Sequence, residues 1–192
     1  MPFMAFAQDS ITSLSEKDHS NLQRRAAEKV RQMNDYISFM ADKKRSFDTR
    51  VDYKGYALNL FIARGLDYEE NGIYKEGVLM QVTSINRGST RNRLIRDYFD
   101  GLIRLKYSQV KITSTEIADM KVSNLRKVDD GLYVCTCQYD QAFVGYGGDG
   151  TPIYRDITTK RIKCYVYLEE TEDGIEYIVR LGDITALETK RY

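Results

Sequence analysis

The sequence predicts an α+β fold in which three N-terminal helices pack against a curved antiparallel sheet that ends in a four-stranded meander. Helices gathered before a set of strands are typical of this class. Asp-Gly favours hairpin turns because Asp tolerates positive φ and Gly prefers it. Three such pairs, each between runs of β-branched and aromatic residues, predict the turns of the meander: Asp130-Gly131, Asp149-Gly150 and Asp173-Gly174.

The first helix is predicted from a single apolar stripe. Ser13 or Ser15 can cap its start, and Ser15 with Asp18 has the pattern of a capping box. Apolar residues then recur at steps of three or four, which predicts an amphipathic helix of about seven turns. The stripe comprises Leu22, Ala26, Val30, Met33, Ile37 and Met40.

A second helix, a loop and a strand are predicted next. The helix begins near Asp48 or Thr49 and ends at Gly65, a residue suited to the position that follows a helix. Residues 67–77 are polar and rich in turn formers, so we predict a loop there. Residues 78–83 alternate between apolar and polar side chains, as a strand does.

The third helix is predicted to start at Ser89 or Thr90, either of which can cap it. Its buried face comprises Leu94, Ile95, Tyr98, Phe99, Leu102 and Ile103. The first strand of the meander lies somewhere within residues 108–128. The fourth strand changes its apolar phase at Gly182, which predicts a β-bulge that curls the sheet around the helices.

The two middle strands of the meander have clear faces. The second strand alternates most regularly and turns one set of side chains to the core: Tyr133, Cys135, Cys137, Tyr139 and Phe143. The third strand has Ile162, Cys164, Val166 and Leu168 on the core side. Both patterns have the period of two that a half-buried strand requires.

Length and composition exclude several classes of function. With 192 residues the chain is predicted to form one domain, over residues 15–188. Its 29 basic and 28 acidic residues leave a net charge of +1, so no bulk attraction to nucleic acid or to an anionic membrane is expected. No segment approaches the ~20 apolar residues of a membrane span. A single His makes a His-based metal cluster or a Ser-His-Asp hydrolase hard to build.

Three cysteines leave three interpretations open. Cys135 and Cys137 share one face of a predicted strand, and Cys164 lies on the next strand. They can be buried apolar side chains, form a cross-strand disulfide, or offer three thiolates to a metal that would lack a fourth ligand. Burial is the commonest role, so we predict core side chains, with no metal and no cofactor.

Residues 1–14 are predicted to be the remnant of a secretory signal peptide or a disordered N-terminus. Ala5-Phe6-Ala7 has the small-x-small form of a signal peptidase site, and Gln8 begins a polar stretch. The apolar run is short and no charged segment precedes it. Export, to the periplasm or the medium, is the expectation, with a cytoplasmic location as the alternative.

The order of helix, helix, strand, helix and four strands, with the bulge at Gly182, resembles the nuclear transport factor 2-like superfamily, also called cystatin-like cones. The resemblance covers residues 15–188. It implies a curved sheet that wraps the helices and often leaves a pocket at its wide end. Members include ketosteroid isomerase-like and dehydratase enzymes, transport adaptors and exported domains, so the fold does not choose among functions.

An isomerase-like pocket requires a carboxylate base and an oxyanion hole that commonly includes Tyr. Three acids in apolar surroundings are candidates for the base: Asp52, Asp119 and Asp183. Four tyrosines are candidates for the pocket: Tyr56, Tyr98, Tyr133 and Tyr139. The structural alternative is that the acids cap a helix or serve the bulge while the tyrosines pack at the rim. No motif selects one pair, which favours that alternative.

The outer face of the third meander strand is a candidate interface. Its residues are Arg161, Lys163, Tyr165 and Tyr167. An exposed pair of tyrosines suggests an interface, such as that of a homodimer, although a ladder of cations and aromatic rings on a monomer is equally plausible. A second basic run, Arg87, Arg91, Arg93 and Arg96, lacks the interleaved aromatic residues of a nucleic-acid binder.

The function expected from the sequence is that of an exported, non-catalytic module that binds a small ligand or a protein partner. The alternative is an isomerase- or dehydratase-like enzyme that uses a pocket carboxylate and a tyrosine, and a third reading is an intracellular assembly adaptor. An acid buried in a pocket beside a tyrosine would favour the enzyme. A structure with every acid at the surface would exclude it.

Overall fold

The computed structural model describes residues 14–86, 88–172 and 174–191. The Ala5-Phe6-Ala7-Gln8 segment of the predicted export signal lies outside the described residues, as do Ser13, Arg87 and Asp173. The fold is α+β, as predicted, and the described residues form three α-helices and one large mixed sheet.

Helix α1 spans Glu16–Ala41 and begins as the sequence predicts. The capping box is confirmed, because the Asp18 amide donates to Ser15 Oγ and the Ser15 amide donates to the Asp18 carboxylate. All six members of the apolar stripe are buried along the helix. Burial of this stripe fixes α1 against the inner face of the sheet.

Helix α2 spans Phe47–Leu58 and differs from the prediction at both ends. Ser46 caps its start, slightly earlier than predicted, and the helix stops well before Gly65. Beyond its end, Ala63 and Arg64 take left-handed φ angles of 47° and 54°, so no right-handed helix continues to Gly65.

A small hairpin replaces the loop predicted over residues 67–77. Strands β1 (Tyr68–Glu70) and β2 (Ile73–Lys75) pair in antiparallel fashion. They are joined by Asn71-Gly72, whose φ angles of 52° and 76° are both positive. This combination suits a two-residue hairpin turn.

A second hairpin replaces the predicted start of the third helix. Strand β3 (Leu79–Ser84) pairs with strand β4 (Ser89–Leu94), so Ser89 and Thr90 begin a strand and cap no helix. Helix α3 (Ile95–Ile103) follows β4 directly and has no side-chain cap. The Ile95 amide donates instead to the carbonyl of Val78, just before β3, so tertiary contact replaces the missing cap.

The remaining strands belong to the same sheet. Strands β5 (Gln109–Ser114), β6 (Lys121–Val122) and β7 (Arg126–Asp129) all pair with strand β8 (Leu132–Tyr146). The region predicted as one strand therefore contains three short ones. Strands β9 (Pro152–Thr171) and β10 (Gly174–Lys190) follow as antiparallel neighbours.

The order of strands in the sheet is β4-β3-β10-β9-β8-β5. β10 pairs with β3 in parallel, at Ile184 and Met80, so the prediction of a purely antiparallel sheet is wrong. No turn signal in the sequence reports a pairing between segments so far apart. The predicted bulge is confirmed, because the register of β9 and β10 shifts between Leu181 and Ile184, around Gly182.

Helix α1 packs on the apolar face of the sheet, and α2 and α3 pack against α1. Cys135, Cys137 and Cys164 are buried in this core as free thiols, as predicted for core side chains. No helix among residues 14–86, 88–172 and 174–191 is long and apolar enough to cross a membrane.

Candidate functional site

A cavity of about 280 Å³ opens beside helix α3, on the inner face of β3, β8 and β9. Much of its wall is aromatic or aliphatic: Val82, Tyr98, Leu102, Leu105, Tyr107 and Phe143. Polar side chains also line the cavity, among them Arg93, Gln141, Tyr154, Asp156, Thr158 and Lys160. Apolar walls with a few convergent polar groups are the usual design of a small-molecule site.

Strand β9 supplies the floor of this cavity. Alternate residues of a strand share a face, so Asp156, Thr158 and Lys160 all point inward. Asp156 is 6% exposed and Lys160 is 5% exposed. The opposite strand places Gln141 across from Thr158, which brings a buried amide to the same floor.

Asp156 is the buried carboxylate of the cavity. The Tyr154 hydroxyl donates a hydrogen bond to Asp156 Oδ2 and also lies 3.4 Å from Ser84 Oγ. Burial raises the pKa of Asp156, and this effect outweighs the hydrogen bond from Tyr154 and the charge of Lys160, both of which lower the pKa. A carboxylate with a raised pKa is a stronger base than one in water.

Lys160 ends a chain of buried polar groups that begins on helix α1. Lys160 Nζ donates to Gln141 Oε1 at 2.8 Å, and Gln141 Nε2 donates to Asn34 Oδ1 at 2.6 Å. Asn34 Nδ2 in turn donates to the carbonyl of Val30 at 2.9 Å. The chain links the helix to the floor of the cavity and fixes the position of the amine.

The amine of Lys160 has no counterion in contact. Nζ lies 3.8 Å from Met80 Sδ and 5.6 Å from the ring centroid of Tyr98. None of the ion pairs among the described residues includes Lys160. Burial therefore lowers the pKa of Lys160 to about 8, although the charge of Asp156 acts in the opposite direction.

The structure separates the four tyrosines predicted for the pocket. Tyr98 lines the cavity, and burial raises the pKa of its hydroxyl. Tyr133 and Tyr139 lie on the inner face of β8, where they are buried in the core, and they are absent from the cavity wall. Tyr56 is 54% exposed on α2, so its assignment to a pocket is wrong.

The three acids predicted as bases lie elsewhere. Asp52 and Asp119 are exposed, so their carboxylates are well solvated and the assignment of Asp119 to a pocket is wrong. Asp183 accepts hydrogen bonds from the Leu79 amide at 2.8 Å and from Lys75 Nζ at 3.2 Å. These contacts give Asp183 a structural role beside the bulge, which is the alternative to a catalytic role that the sequence analysis describes.

The sequence pattern did not identify Asp156 and Lys160, because the apolar residues on their face of the strand begin only at Ile162. Residues 152–160 carry polar side chains on their inner face, and a strand face exposed to solvent has the same pattern. Pattern alone cannot separate a polar pocket from a wet surface. The available signal was the continuation of the alternation of β9 from Ile162 back through Lys160.

The outer face of β9 is covered, contrary to the prediction of an exposed tyrosine pair. Tyr165 is only 2% exposed, because the β1–β2 hairpin lies over it and the Tyr165 hydroxyl donates to Glu70 Oε1 at 2.6 Å. Tyr167 stacks on Tyr165 with 6.4 Å between the ring centroids. Arg161 remains exposed, and a homodimer through this face stays a prediction.

Glu70 is the centre of this outer cluster. Its carboxylate pairs with Lys163 and with Lys75, at 2.5 Å and 2.8 Å, in addition to Tyr165. Burial alone would raise the pKa of Glu70, but these three hydrogen bonds together lower it to about 2. A groove of about 480 Å³ lies beside the cluster. We assign Glu70 a structural role, because its carboxylate is already paired with Lys75, Lys163 and Tyr165.

No group of three or more His, Cys, Asp or Glu within the described part of the chain is arranged to hold a metal ion. The side chains of the inner cavity include a buried carboxylate with a hydroxyl donor, and a buried amine. Such a set can move protons and can react with electrophiles.

The described residues have an α+β fold in which three helices pack against one large mixed sheet. No protein-family model matches the sequence, and no curated protein is significantly similar to it.

Three solved structures are similar over most of their length. A candidate scytalone dehydratase from Novosphingobium aromaticivorans has 12% identity and a TM-score of 0.42, with 92% of this chain and 91% of that chain covered. The Kfla4162 protein from Kribbella flavida has 15% identity and a TM-score of 0.41, with 89% and 95% covered. A hexachlorocyclohexane dehydrochlorinase (LinA) of type 2 has 10% identity and a TM-score of 0.38, with 90% and 93% covered. No residue role is transferred from these proteins.

Proposed function

We propose that this protein is a small-molecule enzyme of the isomerase or dehydratase kind, with Asp156 as its proton-transfer group. The observation that carries the proposal is the Asp156 carboxylate, buried in the cavity beside the Tyr154 hydroxyl. This is the arrangement that the sequence could not locate but that an enzyme of this kind requires. It favours the catalytic alternative over the non-catalytic module.

The surroundings of Asp156 suit a general base. Burial raises its pKa toward the pH at which an enzyme works, where a base is most effective. Tyr154 holds one carboxylate oxygen in place, which limits the orientations of the group. Proton transfer by a positioned side chain contributes about 10²–10⁴-fold to a rate.

The opposite part of the cavity suits the charge that proton removal creates. Taking a proton from carbon beside an electron-withdrawing group leaves an anion, which hydrogen-bond donors and cations stabilise. Tyr98 and Lys160 are the donors on that side, and the Lys160 amine and the Tyr98 ring are neighbours. Side chains on one face of a strand advance about 6.6 Å for every second residue, so Asp156 and Lys160 flank a gap of small-molecule size.

The walls favour a flat, mainly apolar substrate. Phe143 and Tyr154 meet edge to face, with 5.7 Å between ring centroids, and Tyr107 and Phe143 do so at 5.8 Å. This aromatic group lines the cavity next to Asp156. A cavity of about 280 Å³ is near the lower limit for ligand pockets, which indicates a substrate with few rings.

The test uses a general probe for carbon-proton abstraction. 5-Nitrobenzisoxazole is flat and apolar, and loss of its ring proton to a base gives a coloured phenolate. The wild-type protein should accelerate this reaction, and Asp156→Asn should lower the rate by about 100-fold or more. Glu176→Gln is the matched control, because it removes an exposed carboxylate at the far end of β10. Equal rates for wild type and Asp156→Asn would refute the assignment.

Export and dimerisation are separate proposals. The export proposal rests on the sequence of residues 1–14, and the dimer proposal on the outer face of β9, where Arg161 is exposed. Cell fractionation of the full-length protein tests the first, and sedimentation tests the second. A protein that binds flat aromatic compounds in the cavity without any Asp156-dependent turnover would instead be the ligand-binding module expected from the sequence.

A further inference from the structure

The buried amine of Lys160 is not needed for the hydrogen bonds that join helix α1 to the sheet. Asn34 and Gln141 make that connection directly, and Lys160 adds only a terminal donor at the cavity wall. Its remaining contacts are the Met80 thioether and the face of Tyr98, neither of which is an anion. A buried ammonium with no partner anion is costly, so the protonation equilibrium of Lys160 lies further toward the neutral amine than that of a lysine in water.

A neutral amine in an apolar cavity is a nucleophile. Lysines activated by burial form Schiff bases with carbonyl compounds. The lowered pKa of about 8 means that about half of the amine is neutral at pH 8, against less than about 1% of an ordinary lysine. Access is provided by the cavity itself, since Lys160 forms part of its lining.

We infer that Lys160 is a covalent site for small aldehydes and ketones, in which Nζ condenses with the carbonyl carbon of the compound. The nitrogen lone pair forms a C–N bond to that carbon, and the carbonyl oxygen takes up a proton to become a hydroxyl. Loss of this hydroxyl as water, together with the proton from nitrogen, leaves the imine. No oxidant, reductant or metal takes part.

This inference rests on the proposed function, because the imine on Lys160 would be the electron-withdrawing group that proton abstraction by Asp156 requires. A protonated imine acidifies the hydrogen on the neighbouring carbon more strongly than the original carbonyl does. Lys160 and Asp156 lie four residues apart on one face of β9, so their Cα atoms are about 13 Å apart. A carbonyl compound of a few bonds held on Nζ therefore extends toward the carboxylate. The substrate class is a small carbonyl compound with a proton beside the carbonyl.

The experiment is reductive trapping on the folded wild-type protein with benzaldehyde and sodium cyanoborohydride at pH 8, followed by peptide mass spectrometry. Hydride from the reductant converts an imine into a stable benzylamine. Lys160 should gain a benzyl group at least about tenfold faster than Lys111, an exposed lysine on β5, because it holds more neutral amine. A Lys160 that is labelled no faster than Lys111, or only after unfolding in urea, overturns the inference.

A variant separates this inference from the proposed function. Lys160→Arg keeps a cation in the cavity but cannot form the imine, so the fast benzyl label should disappear. Proton abstraction from 5-nitrobenzisoxazole, which has no carbonyl group and so needs no imine, is measured in the wild-type protein and in Asp156→Asn, both of which keep Lys160. Failure of trapping with this activity intact removes only the imine. Trapping without any Asp156-dependent activity keeps the covalent site and removes the proposed base. Should Lys160→Arg not fold, the wild-type peptide map alone decides.

Discussion

Lys160→Met should change the stability of the protein in a way that depends on pH. Burial moves the pKa of this amine from 10.5 to about 8, which corresponds to about 3 kcal/mol against the folded state when the amine is protonated in both states. Below pH 8 the folded and unfolded chains both bind the proton, and the cost is fully present. Between pH 8 and 10.5 the unfolded chain binds more protons, so wild-type stability rises with pH, and above 10.5 the cost is gone.

Methionine removes the titrating amine while filling a similar volume. It leaves Gln141 Oε1 without its donor, which costs about 1–2 kcal/mol. The net expectation at pH 7 is a variant more stable than wild type by about 1–2 kcal/mol. That advantage should shrink by about 2 kcal/mol between pH 7 and pH 10, because the folded wild-type protein loses a proton that the unfolded chain still binds.

The assay is urea unfolding followed by circular dichroism at several pH values from 7 to 10, for wild type and variant in parallel. Other groups that titrate in this range affect both proteins equally and cancel in the difference. Lys111→Met is the matched control on the exposed surface, where the change should stay within about 0.5 kcal/mol. A difference between wild type and Lys160→Met that is independent of pH would show that the amine is not held in a desolvated site.

Three further predictions concern other parts of the fold. Glu70→Gln should destabilise the protein by about 1–2 kcal/mol at neutral pH, a value reduced for partial exposure. Because the pKa of Glu70 is lowered from 4.5 to about 2, this contribution is present above pH 4.5 and is lost as the pH falls toward 2. The stabilities of the two proteins, measured against pH, should therefore converge in acid, and parallel curves would contradict the prediction. Gly182→Ala should cost about 1–3 kcal/mol in urea unfolding, because the new Cβ would lie 2.5 Å from Tyr165 Cε2, whereas Gly148→Ala, with open space around it, should cost far less. Tyr154→Phe should leave the fold intact but raise the pH at which the rate of 5-nitrobenzisoxazole turnover reaches half of its maximum. The reason is that Asp156 loses the hydrogen bond that lowers its pKa. An unchanged pH profile would show that Tyr154 does not act through Asp156.

The sequence predicted best where local chemistry decides the structure. The capping box at Ser15 and Asp18 and the bulge at Gly182 depend on a few neighbouring residues, and both are present. The β1–β2 hairpin had an equally local signal in Asn71-Gly72, but its strands are only three residues long and are flanked by acids. Strands that short are stable only through tertiary contact, here the cover over Tyr165.

The prediction was wrong where distant segments determine the outcome. Residues 89–93 are polar and precede an apolar helical pattern, so they resemble a helix start until their pairing with β3 is known. The parallel contact between Ile184 and Met80 likewise joins segments that no turn connects. The candidate site depends on both kinds of information, because it needs the inner face of β9 and helix α3 beside it.

The polar groups of the cavity are costly to the fold, and this cost is itself an argument for function. A connection between helix α1 and the sheet could be made with apolar side chains at no desolvation cost, and replacement of buried charges by hydrophobic residues is often neutral or stabilising. Instead, Asn34, Gln141 and Lys160 extend a polar chain to a cavity, where Asp156 is also buried. Violations of the usual burial rules concentrate at functional sites. The outer Glu70 cluster shows the contrast, because its carboxylate pairs with both Lys75 and Lys163 although a groove lies beside it. Unpaired charge in a cavity, and not buried charge as such, is what supports the proposal that the inner face of β9 is a catalytic site.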